Sequence, residues 1–322
     1  MNFSRISSSS MIDQSLYYLN TNLKSLSDLQ EKMSSGKNIN APGDDPVGLT
    51  RVLNLTTTLG VDARYAKNVQ DAVSETNTAD SAVTNMVNLV QRAQELTTQA
   101  ANVTNNQSGR DAIALEIDQI INQLVQLGNT DIGGKYIFAG VKTDTPPFSR
   151  TNDDITYSGT PSGQNWQRNT EIGRGVQLTT NINGATLLGN VQVTTAGPPL
   201  PPTFAAGSGG LFKTLVELKQ DLQAGGATNQ LTEIRNRLDD LTADLSTLTG
   251  QQSILGAVGN RLSITQSRID ERKSILTQQY SDLQNVDMPK TIADLNAQQN
   301  VLQASMSVTG KILQMNLLDY LR

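Results

Sequence analysis

The feature that most constrains this chain is a narrow apolar stripe at each of its ends. From Ile12 the stripe runs through Leu16, Leu19, Leu23 and Leu26 to Met33, alternating four and three residues apart, with Gln30 its polar member. This is the a/d spacing of a helix that packs along a thin seam against other helices. Near the other end Ile292, Leu295, Gln299, Leu302, Met306, Thr309 and Leu313 repeat the alternation, and Leu317 and Leu321 carry it onward. The flanks of both stripes are rich in Ser, Asn, Gln, Lys and Asp, so neither helix can bury itself alone. Each needs partners, and within the chain only the other terminus offers an obvious one.

Helical patterns also fill most of the interval. Leu255, Leu262, Ile269, Leu276 and Leu283 recur every seven residues, and Pro289 then predicts a break before the last helix. Val69 to Ala101 is a long helix-compatible run, and Ile113, Ile117, Ile120, Leu124 and Leu127 form a further stripe. Leu211 to Leu248 continues in the same manner, with Gly225 and Gly226 as a turn. The texture changes after Gly140: "DITYSG", "EIGRGVQLTT" and "VQVTT" are β-branched and punctuated by glycine, and "AGPPLPPTFAAGSGG" reads as a linker. The expected fold is therefore mainly α with an inserted β domain, its N- and C-terminal parts forming a long antiparallel helical bundle or coiled-coil rod. The expected domains are 1–42 with 285–322 as a terminal coiled coil, 43–140 with 211–284 as a helical rod, and 141–210 as the β-rich insertion.

Composition narrows the chemistry. None of the 322 residues is a cysteine or a histidine, which removes disulfides, thiolate nucleophiles, imidazole acid/base chemistry and His/Cys zinc sites. A net charge of -5 supplies no basic stripe for phosphates, so nucleic acid is not an expected partner. Neither a secretory h-region nor a membrane-length apolar run is present, so no membrane insertion is expected, and these features alone read as soluble and cytoplasmic by default.

One stretch, "MSSGKNINAPGDDPVGL" from Met33 to Leu49, could be a ligand site or a corner. Asp45 before Pro46 reads as an N-cap carboxylate followed by a first-turn proline. Gly36 and the Pro42-Gly43 pair would end the preceding helix and turn the chain. The rival is a cation site at Asp44 and Asp45, but Leu55 stands where a calcium loop opening at Asp44 would need its last carboxylate. Local signals favour the corner. Elsewhere Asp239 and Asp240 read as a solvated helix face, and "EIGRGV" as a hairpin turn without a phosphate-loop pattern. A carboxylate hydrolase using Asp153, Asp154 or Glu171 and a coiled-coil signalling protein remain rivals of other classes.

That stretch, together with "GRDAIALEIDQIINQL", "GGKYIFAG", "GAVGNRL" and the ending "LLDYL", resembles the flagellin family. The resemblance covers both ends and the helical part, and only loosely the β insertion. Val258 stands where an Arg is common in the family, and the opening "MNFSRISSSS" is longer than a typical start. Within the family, "DDP", "YIFAG" followed by "PPF", and "LLDYL" are closer to hook-associated proteins of the hook-filament junction than to filament flagellin. The resemblance implies a structural, non-enzymatic subunit without cofactor or metal, exported without a cleaved signal peptide through the flagellar type III apparatus and placed outside the cell. Implied partners are other copies in a ring, a neighbouring hook-associated junction protein, flagellin, and an export chaperone. It also implies termini that are loose before assembly, with the two stripes as the assembly interface and Gly36, Pro42, Gly43, Asp44, Asp45 and Pro46 as a structural corner. Filament flagellin with a short outer domain is the alternative.

Overall fold

The computed structural model describes residues 8–102, 106–161, 164–191, 209–225 and 230–320, with side chains omitted for 8–9 and 313–320. The fold is mainly α with a small insertion of short antiparallel strands, as the stripes predict. The chain divides into two compact units, one formed by its two ends, up to Asp62 and from Glu271, and one by Ala63–Asp270.

In the unit of the ends, α1 (Ser8–Ser35) lies antiparallel to α7 (Met288–Tyr320). Gly36 ends α1 in the left-handed region, φ 68°, and donates its N–H to the Lys32 carbonyl at 2.9 Å. The Asp287 carboxylate caps α7 by accepting from the N–H of Lys290 at 3.2 Å. Pro289 then occupies the first turn, where its missing N–H is tolerated. The same unit holds the first turns of α2 (Pro46–Ala100) and the last turns of α6 (Gln230–Gln284). There Asp62, almost wholly buried, meets Arg272 at 3.1 Å.

In the Ala63–Asp270 unit, α2 and α6 run antiparallel, tied by Gln252 to Thr84 at 2.9 Å and Gln94 to Thr242 at 3.2 Å. They share a core with α3 (Gln107–Gly128) and α5 (Leu211–Gln223). On α2 the buried positions Val69, Ala72, Thr76, Ala79, Val83, Met86, Val90, Ala93, Thr97 and Ala100 alternate three and four apart, a complete heptad seam. The two seam threonines donate to carbonyls of their own helix, Ala72 and Ala93, and so cross to no neighbour. On α6 the fully buried leucines and isoleucines are spaced by sevens, at Ile234, Leu241, Leu248, Leu255 and Leu262.

Among the described residues the strands form three antiparallel hairpins. The hairpin of β1 (Asp131–Ile132) and β2 (Lys135–Tyr136) turns through Gly133 and Gly134, both at positive φ. It precedes residue 141, so strand structure begins before the boundary expected from composition. β3 (Phe148–Thr151) pairs with β4 (Asp154–Tyr157), and β5 (Asn169–Gly173) with β6 (Val176–Thr179) across the "GRG" turn. A short helix, α4 (Gly184–Leu188), follows them. Phe138, Phe148, Ile155, Leu188 and Val191 join the helical core, so the insertion is packed into its own unit rather than hung from it. Charged contacts reinforce this: Arg168 pairs with Glu75, and Tyr65 donates to Glu171 at 3.1 Å.

Candidate assembly interface

The seam between α1 and α7 is set one step away from the stripes read in sequence. On α1 the half-buried positions at heptad spacing are Ile12, Ser15, Leu19, Asn22, Leu26, Leu29 and Met33, with Ser25 and Lys32 half-buried on one flank. On α7 the seam positions are Thr291, Leu295, Leu302 and Thr309, which are buried, and Gln298, Ser305 and Ile312, which are half-buried. Thus Ile12, Leu19, Leu26, Met33, Leu295, Leu302 and Thr309 belong to both the read stripe and the folded seam. Leu16, Leu23, Ile292 and Met306 do not: they are 42%, 46%, 44% and 50% exposed. Each of these four follows a seam residue by one position. In an antiparallel helix pair, positions offset this way on the two helices lie along the same edge. Among the described residues this edge is therefore apolar and uncovered. The opposite edge also exposes apolar side chains, Met11, Tyr18, Val301 and Val308, beside a groove whose polar lining is Ser25, Asp28, Lys32, Asp294 and Gln298. The side chains of Leu313 and Leu317, and all of Leu321, lie outside the described residues.

At the base of the pair two corners of the chain meet. Asn38 donates its N–H to the Gln284 carbonyl at 2.7 Å, and Val286 donates to Gly36 at 3.1 Å, a short antiparallel bridge between Lys37 and Asn285. Gln284, buried, donates from Nε2 to the Ile39 carbonyl at 2.9 Å. The two carboxylates of the corner are both spent on backbone. Asp44 accepts from the N–H groups of Asn40 and Ala41, each at 2.9 Å, and these bonds, that of Ala41 foremost, hold its carboxyl below the usual range. Asp45 Oδ1 accepts from Val47 at 3.1 Å and Gly48 at 2.8 Å, capping α2, with Pro46 at the first helical position. Pro42 and Gly43 are exposed in the turn between them. Among the described residues no cluster of three Asp, Glu, His or Cys is placed to hold a metal.

Two residues that sequence reasoning passed over complete the corner. Ile39 is buried beneath it, and Gly48 must lack a side chain, because a Cβ there would stand 2.3 Å from Asp45 Oδ2 and 2.7 Å from Ile39 Cδ1. A glycine three residues after an N-cap aspartate was the available signal. Ser15, Asn22, Gln298 and Ser305 in the seam were also passed over, since apolar spacing alone does not mark polar members.

The carboxylates of the hydrolase rival are engaged in ties within the fold. Asp153 pairs with Lys219, which also binds Asp118 at 3.0 Å, while Asp118 pairs with Arg150. Burial raises the Asp118 carboxyl, but the two cations outweigh it and lower it overall. Glu171 accepts from Tyr65 at 3.1 Å, and Asp154 lies in β4. Asp239 and Asp240 are exposed on α6, the latter bonded to Arg237 at 2.9 Å.

Residues 6–143 match the bacterial flagellin N-terminal helical region and residues 227–321 its C-terminal helical region, together well over half of the chain. The chain belongs to the bacterial flagellin family. More particularly, it is similar to flagellar hook-associated protein 3 of Escherichia coli (strain K12), 28% identical over 287 residues, covering 85% of this chain and 86% of that protein. Flagellin of Bacillus subtilis (strain 168) is 27% identical over 301 residues, covering 91% of each. The fold is shared with the crystal structure of flagellar hook-associated protein 3 from Legionella pneumophila, at a TM-score of 0.60, 17% identity, and coverage of 72% of this chain and 98% of that one.

Proposed function

We propose that this chain is a structural subunit of the bacterial flagellum that polymerises at the hook-filament junction as a mechanical adaptor between hook and filament. The observation that carries the assembly reading is the uncovered apolar edge of Leu16, Leu23, Ile292 and Met306, which suits burial against further copies of the same pair. The segments "DDP", "YIFAG" followed by "PPF", and "LLDYL", together with the likeness to hook-associated protein 3, support the junction rather than the filament as the place of assembly. In this reading 1–42 with 285–322 is the assembly domain, 43–140 with 211–284 the helical rod, and 141–210 the outer domain. Leu19, Leu26, Met33, Leu295 and Leu302 hold the pair together. The subunit is not an enzyme. Its partners are its own copies in a ring, a neighbouring junction protein, flagellin, an export chaperone and the type III export apparatus. Its destination is outside the cell, reached without a cleaved signal peptide.

Negative-stain electron microscopy of the purified chain added to hooks that carry the neighbouring junction protein tests this directly. A short cap that does not elongate is expected; long filaments would move the assignment to flagellin, and no binding would overturn both. Deleting Ile292 to Arg322 should abolish incorporation while the Ala63–Asp270 unit keeps its thermal transition. A truncated chain that still built working flagella would refute the interface.

A further inference from the structure

A cleft in the Ala63–Asp270 unit is used neither by the core nor by the assembly reading. β6 and α4, with the chain between them, form one wall, the Trp166–Gln167 stretch a second and α6 the third, around a space of about 300 Å³. The amides at its base are spent on the fold. Asn181 accepts from the Arg168 N–H and donates to the Trp166 carbonyl, each at 2.8 Å, and Asn183 donates to the Thr160 carbonyl at 2.8 Å while capping α4. Half-buried Trp166 and Gln251 and exposed Gln167 and Thr186 differ: their indole N–H, amides and hydroxyl find no protein partner among the described residues. On the α6 wall Ile254 is 53% exposed and Val258 half-buried. Among the described residues no Asp, Glu, Lys or Arg lines the cleft, and Arg168, next to Gln167 in the chain, is paired with Glu75.

These features select a ligand by elimination. A charged molecule entering the cleft would shed water without meeting a counter-ion. A purely apolar one would leave the indole N–H and the two glutamine amides unpaired. A proline-rich peptide offers carbonyls to the donors but almost no N–H to the glutamine oxygens. The volume, at the low end for small-molecule sites, admits about one or two rings. A sugar ring meets all four conditions: it is neutral and small, its C–H face can lie on an indole, and its hydroxyls both donate and accept around the edge. We infer that the cleft binds a neutral saccharide unit, with Trp166 as the stacking surface and Gln167, Gln251 and Thr186 as the hydrogen-bonding rim. The site lies within one unit of the chain and does not depend on the assembly reading.

Trp166 is the only tryptophan of the chain, so intrinsic fluorescence of the full-length protein reports this site without a label. It should be titrated with glucose, galactose, N-acetylglucosamine and their β-linked disaccharides, and with glucuronate and glucosamine as charged counterparts. A saturable change with at least one neutral sugar is expected, half-complete near ~1 mM for a ligand of about a dozen heavy atoms, and weaker with the charged ones. Gln251→Ala, on the surface of α6, should weaken that binding about 3- to 10-fold while leaving the thermal transition in place. Trp166→Ala removes the fluorophore and is read by saturation-transfer NMR, where transfer to the sugar should vanish. No saturable change with any neutral sugar would overturn the inference, as would binding that both variants leave unaltered. A change produced only by a peptide of residues 196–207, the chain's own proline-rich stretch, would overturn it too and give the cleft to peptide.

Discussion

Along α2 the heptad positions from Ala79 to Ala100 are closed to solvent, whereas on α1 the positions from Ile12 to Met33 are only half-buried. Both helices have the same spacing, and α2 does it with smaller residues, four of its seam positions from Val69 onward being alanine. The difference is in neighbours. The α2 seam faces a core shared with α3, α5, α6 and the strands, while α1 has α7. Heptad spacing thus selects a face, but the number of elements packed on that face decides how dry it becomes.

The sharpest way to break this comparison is to truncate one side chain in each region. Phe212→Ala, at a fully buried position touching Phe148, should lower stability by about 3–5 kcal/mol. Leu26→Ala, half-buried in the terminal seam, should barely shift the main thermal transition. Equal losses in calorimetry would mean that the terminal pair is as well packed as the core. A second, intermediate effect is expected at the corner. Gly48→Ala should cost ~1–3 kcal/mol in local stability, because the new methyl must displace the Asp45 carboxylate or Ile39. Amide exchange at Val47 and Gly48 would report it, and unaltered protection there would show that the corner can give way freely.

The smallest effect concerns acid. Asp44 is fully exposed, and its carboxyl is held down by backbone donors, so it should titrate by NMR below the usual 3.8. A depressed carboxylate stabilises the fold above its unfolded value and loses that contribution as pH falls through its folded value. The Asn40 and Ala41 amides should therefore lose protection only at strongly acidic pH, and Asp44→Asn should remove this dependence. Protection that instead persists through the full titration of Asp44 would show that another group holds the turn.

Much of the corner was legible because its signals are local. Asp45 and Pro46 act within four residues of each other, and a cap and a first-turn proline need no tertiary partner to be recognised. Gly36 was legible for the same reason. The bridge to Gln284 and Val286 was not, since nothing near Asn38 in the chain points to a partner so distant in sequence. The terminal seams were legible in period but not in phase. Ile12, Leu19, Leu26 and Met33 fit two heptad frames, one completed by Leu16 and Leu23 and one by Ser15, Asn22 and Leu29. Hydrophobicity favours the first; the folded pair uses the second.

Helices near both ends, their need for partners, and the places where the chain must turn are all written in the amino-acid order. Those properties follow from period, caps and breakers, which act over a few residues. Which face of each terminal helix meets the other, and which leucines stay exposed, follow from tertiary contacts alone. That choice depends on where the two corners anchor the helices and on hydrogen bonds between Asn22, Gln298 and Ser305, contacts between residues far apart in the chain.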